Sequence, residues 1–195
     1  MDDIVKQAMA KWPDVPHCYG WLALDARGGW RMRDEHAQQA NLPGDRLGNA
    51  ALLAFINRNY AADARGCWYF QNGPQRVYVN LETTPYVART DPAQGLVLQT
   101  GEALGHIDKA YMTAAGALIV QAGGKLAQVD DRDVAQLLAT MERNGAAVDD
   151  DALLAWLEAG SGTVSLRLHD ARVDVERLPD GDLGARFGFV ANPHA

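Results

Sequence analysis

The sequence of 195 residues has few of the side chains that disulfide frameworks and common hydrolytic sites require. It contains two cysteines, Cys18 and Cys67, and two serines, Ser161 and Ser165. Two cysteines in a chain of this length do not make a disulfide framework, and each lies next to an aromatic residue, as a small core side chain would. We expect two reduced, mostly buried thiols. Ser161 lacks the strand–turn–helix context of a nucleophile elbow.

Long apolar runs are missing, and basic residues are outnumbered. No segment approaches the roughly 20 apolar residues that a membrane helix needs, and the first residues show no apolar signal region. Lysine and arginine total 18 against 25 aspartates and glutamates, which gives a net charge of −7. A chain of this charge without a basic cluster repels a phosphate backbone. We therefore predict a cytoplasmic protein that binds neither nucleic acid nor membrane.

Phosphate loops and metal-ligand spacings are also missing. A phosphate loop places glycines between a strand and a helix, but the glycine pairs at 28–29 and 123–124 each lie between predicted strands. The histidines are scattered and no Cys-x-x-Cys occurs. The aspartate-rich segments 130–133 and 149–151 are more simply helix N-caps. We predict no metal, no cofactor and no catalytic residue of a known motif.

Apolar periodicity predicts four helices and thirteen strands, two of them in one central hairpin. The helices are expected over 2–12, from a cap at Asn49 to Asn59, from a cap at Asp130 or Asp131 to Asn144, and after 149–151 until 160–162. The strands are expected at 19–25, 30–33, the hairpin 67–82, 86–89, 96–99, 103–108, 112–113, 117–121, 125–129, 163–168, 171–178 and 186–190. Residues 34–45 read as a loop.

The hairpin 67–82 is expected to lie at the centre of the fold. Asn72, Gly73 and Pro74 suit a tight reversal, because Asn and Gly tolerate positive φ and Pro lacks an N–H. The second strand alternates between two faces. One face carries Val77, Val79 and Leu81, and the other carries Arg76, Tyr78, Asn80 and Glu82. We expect the first set to face the core and the second to face outward or into a groove.

Two halves of the sequence share one order of elements: hairpin, helix, hairpin and final strand. In this alignment the glycine pairs match, the helix ending at Asn59 matches the helix ending at Asn144, and 76–79 matches 172–175. A repeated order indicates internal duplication, although hairpin–helix–hairpin is common enough to occur twice by chance.

This repeat sets the predicted fold class. One helix covers only one face of a sheet, so we predict an α+β fold of two similar units in contact, each a mostly antiparallel curled sheet packed on one helix. The units would span 1–90 and 96–195, with a hinge at 91–95.

The segments 19–30, 52–55 and 66–79 together resemble an uncharacterised family of proteobacterial proteins, a domain of unknown function. The resemblance extends over nearly the whole chain. It implies a fold shared with that family but supplies no catalytic residues.

The chain is more distantly similar to a second proteobacterial family of unknown function. Glu82 before Pro85 and Tyr86, and the aspartate-rich cap at 130–133, follow that family's pattern, whereas the turn at 72–75 departs from it. This resemblance implies a two-unit α+β fold with repeated motifs and a suggested role in signal transduction.

Aromatic and arginine side chains of the first half form the candidate binding surface, because Tyr, Trp and Arg are the usual anchors of recognition surfaces. The candidate residues are Arg58, Arg65, Trp68, Arg76, Tyr78 and Glu82. The alternative is that the aromatics are core and the charges are merely solvated.

Three functional hypotheses follow. The first is a non-enzymatic binding or signalling module that recognises a small anionic ligand or a protein partner. The second is an enzyme of unknown class with a site in the cleft between the units, using Cys67 or His106. The third is a homodimer joined by an edge strand.

Overall fold

The computed structural model describes residues 1–159, 162–168, 171–179 and 181–195 and shows a mixed α+β fold with two curled sheets. The helices in the described ranges are α1 Asp3–Lys11, α2 Glu35–Gln39, α3 Ala50–Arg58, α4 Asp131–Leu138, α5 Asp150–Ala159 and α6 Leu183–Phe187. The first sheet contains β1 Cys18–Leu24, β2 Trp30–Met32, β3 Asp45–Arg46, β4 Tyr60–Ala62, β5 Trp68–Asn72 and β6 Gln75–Leu81. The second contains β7 Tyr86–Asp91, β8 Gly95–Leu98, β9 Ala103–Leu104, β10 Lys109–Thr113, β11 Leu118–Ala122, β12 Lys125–Val129, β13 Met141–Arg143, β14 Ala146–Ala147, β15 Val164–Leu168 and β16 Ala171–Leu178. The predicted α+β class is confirmed.

The chain folds into two compact units, which we call unit 1 and unit 2. Unit 1 comprises Met1–Pro85, Gln99–Gly101 and Asp182–Ala195, and unit 2 comprises Tyr86–Leu98 and Glu102–Gly181. These bounds differ from the predicted division because the last residues return to the first sheet. There the Leu81 N–H donates to the Ala191 carbonyl at 2.8 Å.

The sheet of unit 1 has the strand order β3-β2-β1-β6-β5-β4. Its central pair, β1 and β6, is parallel, and the other described pairs are antiparallel. A parallel pair needs a crossover, and the segment between β1 and β6 contains α3. The Asn49 side chain caps α3 by accepting from the Leu52 N–H at 3.0 Å, and Ile56 of this helix is buried.

The sheet of unit 2 has the order β14-β13-β15-β16-β10-β11-β12-β7-β8-β9. Its inner part, β12-β11-β10-β16-β15-β13, follows the order of unit 1 and again has a parallel central pair, β10 with β16. Equivalent positions in the two sheets are found by counting residues along the strands from the parallel central pair and from the closed end of each hairpin. Residues 76–79 then coincide with 172–175, as the sequence alignment predicts.

The other two anchors of the sequence alignment are wrong. The turn at 123–124 joins β11 to β12, so it corresponds to the connection between β2 and β3, not to the turn at 28–29. Helix α4 ends at Leu138, and Met141–Arg143 forms strand β13. Asn144 and Gly145 both have positive φ and make the two-residue turn between β13 and β14, where a helix C-cap was predicted.

Several other local expectations are also wrong. The predicted loop 34–45 contains α2, which begins because the Asp34 carboxylate accepts from the Ala37 N–H at 2.8 Å. The predicted hinge at 91–95 is the turn of the β7–β8 hairpin. The predicted strand 186–190 begins inside helix α6, which is capped by Asp182 and ends at Phe187, and of its residues Val190 forms an isolated β-bridge with Cys67. The predicted turn at 169–170 and most of the break at 160–162 lie outside the described residues.

Strand β6 is buried on both faces, contrary to the expected division into a core face and an outward face. Val79 is 0% exposed on one face and Tyr78 is 1% exposed on the other. This follows from its place in the middle of the sheet, between β1 and β5. Within the described ranges, no helix has the length and apolar content needed to cross a membrane.

Candidate functional site

One carboxylate organises the face of unit 1 that carries Tyr78. Asp63 follows β4, and its side chain accepts from the N–H groups of Arg65 at 2.9 Å and Cys67 at 3.0 Å. It also accepts from the Tyr78 hydroxyl at 3.0 Å and from Arg65 Nε at 3.2 Å. The Asp63 side chain is only 10% exposed. The loop before β5 is therefore fixed to the centre of the sheet through Asp63.

The Tyr78 ring packs against two other tyrosine rings. Tyr19 of β1 stacks on Tyr78 with ring centroids 4.6 Å apart and planes within 5°. Tyr69 of β5, directly opposite Tyr78, meets it edge-on at 5.8 Å. The rings of Tyr69 and Tyr78 belong to a buried cluster with Cys67. For these two tyrosines, the structure thus supports the core alternative of the sequence analysis.

Two arginines lie over these rings. The Arg76 guanidinium is 4.6 Å from the Tyr69 ring centroid, and the Arg65 guanidinium is 5.6 Å from the Tyr78 ring centroid. Arg65 Nη2 also reaches the Tyr78 hydroxyl at 3.3 Å. We call this set the Tyr78 cluster; its members are Tyr19, Asp63, Arg65, Tyr69, Arg76 and Tyr78.

The charges in the Tyr78 cluster are set by burial and hydrogen bonding. Burial alone would raise the pKa of Asp63, but the Cys67 N–H, the Tyr78 hydroxyl and Arg65 together hold it below its ordinary value. Burial raises the pKa of Tyr78, so this phenol stays neutral. The hydrogen bond with Tyr78 raises the pKa of Arg76. The cluster therefore carries one carboxylate and two guanidinium charges.

Three of the six candidate residues, Arg65, Arg76 and Tyr78, come together in this cluster. The other three lie elsewhere in unit 1. Arg58 forms an ion pair with Asp2 at 3.2 Å, and Trp68 packs on Tyr60 with ring centroids 4.9 Å apart. Glu82 accepts from the Ala26 N–H at 2.9 Å.

Asp63, the residue that joins the cluster, was missed by the sequence analysis. The local signal is an aspartate followed by an arginine two residues later and Gly66 one residue after that, a pattern typical of a turn held by an Asx side chain. Gly66 has φ +78°, and a Cβ there would lie 2.4 Å from a backbone oxygen of residue 188. The hydrogen bond from Tyr78, fifteen residues away, has no local signal.

The two residues named for the enzyme hypothesis lie in different surroundings. Cys67 is 5% exposed, and burial followed by the charge of Asp63 raises the pKa of its thiol. Its reactive thiolate is therefore disfavoured. His106 lines a cavity of about 390 Å³ in unit 2, whose other lining residues include Leu104 and Ile107 but no carboxylate in the described part of the chain.

Metal ligands do not converge in the part of the chain that the structure describes: no group of three or more His, Cys, Asp or Glu side chains there could hold an ion. Both cysteines are free thiols, as the sequence predicts.

Comparison with known proteins identifies relatives of unknown function. A DUF1285 family protein from Silicibacter pomeroyi DSS-3 has a similar crystal structure, with a TM-score of 0.51 and 12% sequence identity over 90% of this chain and 96% of that chain. At this identity the similarity shows the fold alone. No curated protein matches the sequence. A family model described as "Protein of unknown function (DUF2946)" matches residues 1–194, and the predicted resemblance is thereby confirmed: the chain belongs to the DUF2944 family.

Proposed function

We propose that the protein is a binding module and that unit 1 recognises an anionic group at Arg76. One observation carries this proposal: the Arg76 guanidinium lies on the Tyr69 ring at 4.6 Å and forms no ion pair with any carboxylate of the described residues. An aromatic platform fixes the orientation of a guanidinium, and a guanidinium presents paired donors to carboxylate or phosphate oxygens.

The charge of the Tyr78 cluster agrees with a singly charged anionic group. Asp63 is hydrogen-bonded to Arg65 and neutralises that arginine, which leaves Arg76 as the uncompensated charge. The chain as a whole carries a net charge of −7, so a locally positive position on it is selective for anions.

The equivalent position in unit 2 gives an internal comparison. Arg172 occupies the same register as Arg76, counted from the hairpin turn. Its Nε donates to the Ser165 hydroxyl at 2.6 Å, and its Nη1 lies 3.8 Å from a Glu142 carboxylate oxygen. The arginine of unit 2 therefore has a counter-ion within the chain, whereas the arginine of unit 1 forms no ion pair with any residue that the structure describes.

The shared strand order also supports the hypothesis that the two units arose by internal duplication. We further propose that the protein acts in the cytoplasm, since two free thiols fit a reducing compartment.

The test is a titration of the full chain with inorganic phosphate, followed by amide and arginine side-chain NMR shifts. We expect shifts at Tyr69 and Arg76 that disappear in Arg76→Ala, while the free energy of unfolding changes by about 0.5 kcal/mol or less. Arg186→Ala is the matched control, because Arg186 is exposed and lies 5.8 Å from an aromatic ring in the same unit. Equal shifts in Arg76→Ala and in the parent protein would contradict the proposal.

A further inference from the structure

A polar cavity of about 270 Å³ lies in unit 1, on the same face of the sheet as Tyr78 but lined by none of the Tyr78 cluster residues. Asn80, Ala23 and Arg31 are cross-strand neighbours on β6, β1 and β2. Residues opposite one another in neighbouring strands point to the same face. The small side chain of Ala23 therefore leaves a depression between Asn80 and Arg31. Arg33 and Glu82 also line it, and we call it the Asn80 cavity.

Arg33 brings a buried charge to this cavity without a counter-ion. The residue is 8% exposed. Its Nε donates to the Leu42 carbonyl at 3.0 Å, and its Nη2 donates to the Ala37 carbonyl and to Asn41 Oδ1, both at 3.4 Å. All of these acceptors are neutral, and no carboxylate of the described ranges pairs with it. Buried charges in proteins are normally paired, so a ligand carboxylate would supply the missing partner.

Asn80 brings a buried polar atom without a partner. Its Oδ1 is fully buried and accepts no hydrogen bond from the residues that the structure describes. Such an acceptor costs about 1–3 kcal/mol while it is unsatisfied, and because Asn80 lines the cavity, a rotation of its side chain would bring Oδ1 to a donor of a ligand. Glu82, the residue directly after the end of β6, also lines the cavity, and its carboxylate adds a negative charge.

The balance of charges separates this cavity from the Tyr78 cluster. Arg31 is paired with Asp25 at 2.8 Å, and Arg33 and Glu82 contribute opposite charges at different places in the lining. The site has no net charge, but it has a guanidinium on the β2 side and two acceptors on the β6 side. We infer that the Asn80 cavity binds a small zwitterion, with its carboxylate toward Arg33 and its ammonium toward Asn80 and Glu82.

Unit 2 has different side chains at the same backbone positions. Counted from the parallel central pairs, Ala23 corresponds to Tyr111, and its neighbours Asn80 and Arg31 correspond to Glu176 and Ile119. Tyr111 is 4% exposed and Ile119 is 0% exposed. In unit 2 a large ring fills the position that is a depression in unit 1, and an apolar side chain replaces the arginine. The polar cavity is therefore a property of the residues and not of the fold.

The experiment is a ligand screen of the full chain with the free proteinogenic amino acids, followed by thermal unfolding and NMR. We expect at least one amino acid to raise Tm and to shift the signals of Asn80 and Arg33. Acetate and methylammonium, which each carry only one of the two charges, should do neither at the same concentration. If acetate binds as tightly as the best amino acid, or if no amino acid binds, the inference is wrong.

Two variants make the test independent of folding and of the site at Arg76. Asn80→Ala removes an Oδ1 that accepts no hydrogen bond from the described part of the chain, so Tm of the free protein should change little while affinity falls by about tenfold or more. Asn72→Ala, on the opposite face of the same sheet, should bind normally. Glu82→Gln should weaken the preference for an amino acid over acetate by about tenfold. Unchanged affinity in Asn80→Ala would overturn the inference even if phosphate binds at Arg76.

Discussion

Tyr78 and Arg76 are neighbours on one face of one strand, but the structure predicts that replacing Tyr78 lowers stability clearly and that replacing Arg76 changes it little. Replacing Tyr78 with Phe keeps the ring, and with it the stack on Tyr19 at 4.6 Å, and deletes only the hydroxyl. That hydroxyl donates to Asp63 at 3.0 Å and accepts from Arg65 at 3.3 Å. The change therefore isolates the polar contribution of a residue that is 1% exposed.

The magnitude follows from the partners. A hydrogen bond to a charged group contributes about 1.5–3 kcal/mol to stability. The Asp63 carboxylate keeps its bonds from two backbone N–H groups and from Arg65, so it is not left unsatisfied. We expect the lower end, a loss of about 1.5 kcal/mol for Tyr78→Phe. Tyr78→Ala also creates a cavity and should cost about 3–5 kcal/mol.

Urea unfolding followed by tryptophan fluorescence measures this loss. Four of the five tryptophans, at positions 12, 21, 30 and 68, belong to unit 1, so the signal reports mainly on that unit. A lower midpoint at constant slope indicates lost stability. Tyr60→Phe in unit 1 is the control, since its neutral bond to the Pro85 carbonyl at 2.9 Å predicts a loss of about 1 kcal/mol or less. A Tyr78→Phe midpoint equal to that of the parent protein would refute the assigned role of the hydroxyl.

Three further predictions concern stability. Gly66→Ala should cost about 3 kcal/mol, since φ is +78° and the new Cβ would meet a backbone oxygen at 2.4 Å. Gly116→Ala has a similar φ of +80° but open space around the new Cβ, so it should cost about 1 kcal/mol. Equal urea midpoints for the two variants would contradict this prediction. The folded-state pKa of Asp63 lies below its unfolded value of about 3.9. Its ionisation therefore stabilises the fold above that pH, and this contribution is lost as pH falls through the folded pKa. In Asp63→Asn, the urea midpoint should depend less on pH over this acidic range. Asp130, 1% exposed, caps α4 and pairs with Arg132, so Asp130→Ala should cost about 2 kcal/mol in urea unfolding, and a loss below about 0.5 kcal/mol would refute it.

Sequence periodicity predicts the elements whose contacts are local. The hairpin 67–82 is confirmed because its turn residues and its alternation lie within one short segment, and the Asn49 cap fixes the start of α3. The parallel pairing of β1 with β6 joins residues more than fifty positions apart and leaves no local pattern. The end of the chain shows the same limit: within the predicted strand 186–190, the bridge of Val190 is to Cys67, which lies far away in the sequence.

In the candidate site, too, some residues were predicted from the sequence and others were missed. Arg65, Arg76 and Tyr78 were predicted from residue type and meet in one cluster, whereas Asp63 and Tyr19 reach it through separate strands. Tyr78 was expected to face outward or into a groove, but it is buried, because both faces of a central strand are covered and alternation there does not separate a core face from a solvent-exposed one.

The two units differ in residues at equivalent positions of their sheets. Both sheets place an arginine at the same register, yet Glu142 pairs with Arg172 and no described carboxylate pairs with Arg76. The parallel pairs also differ at one equivalent position, which is Ala23 in unit 1 and Tyr111 in unit 2. Since one strand order accommodates a filled, neutralised face and an open, charged one, strand order carries no function by itself. We therefore assign the proposed binding role to unit 1, at the residues where it departs from unit 2.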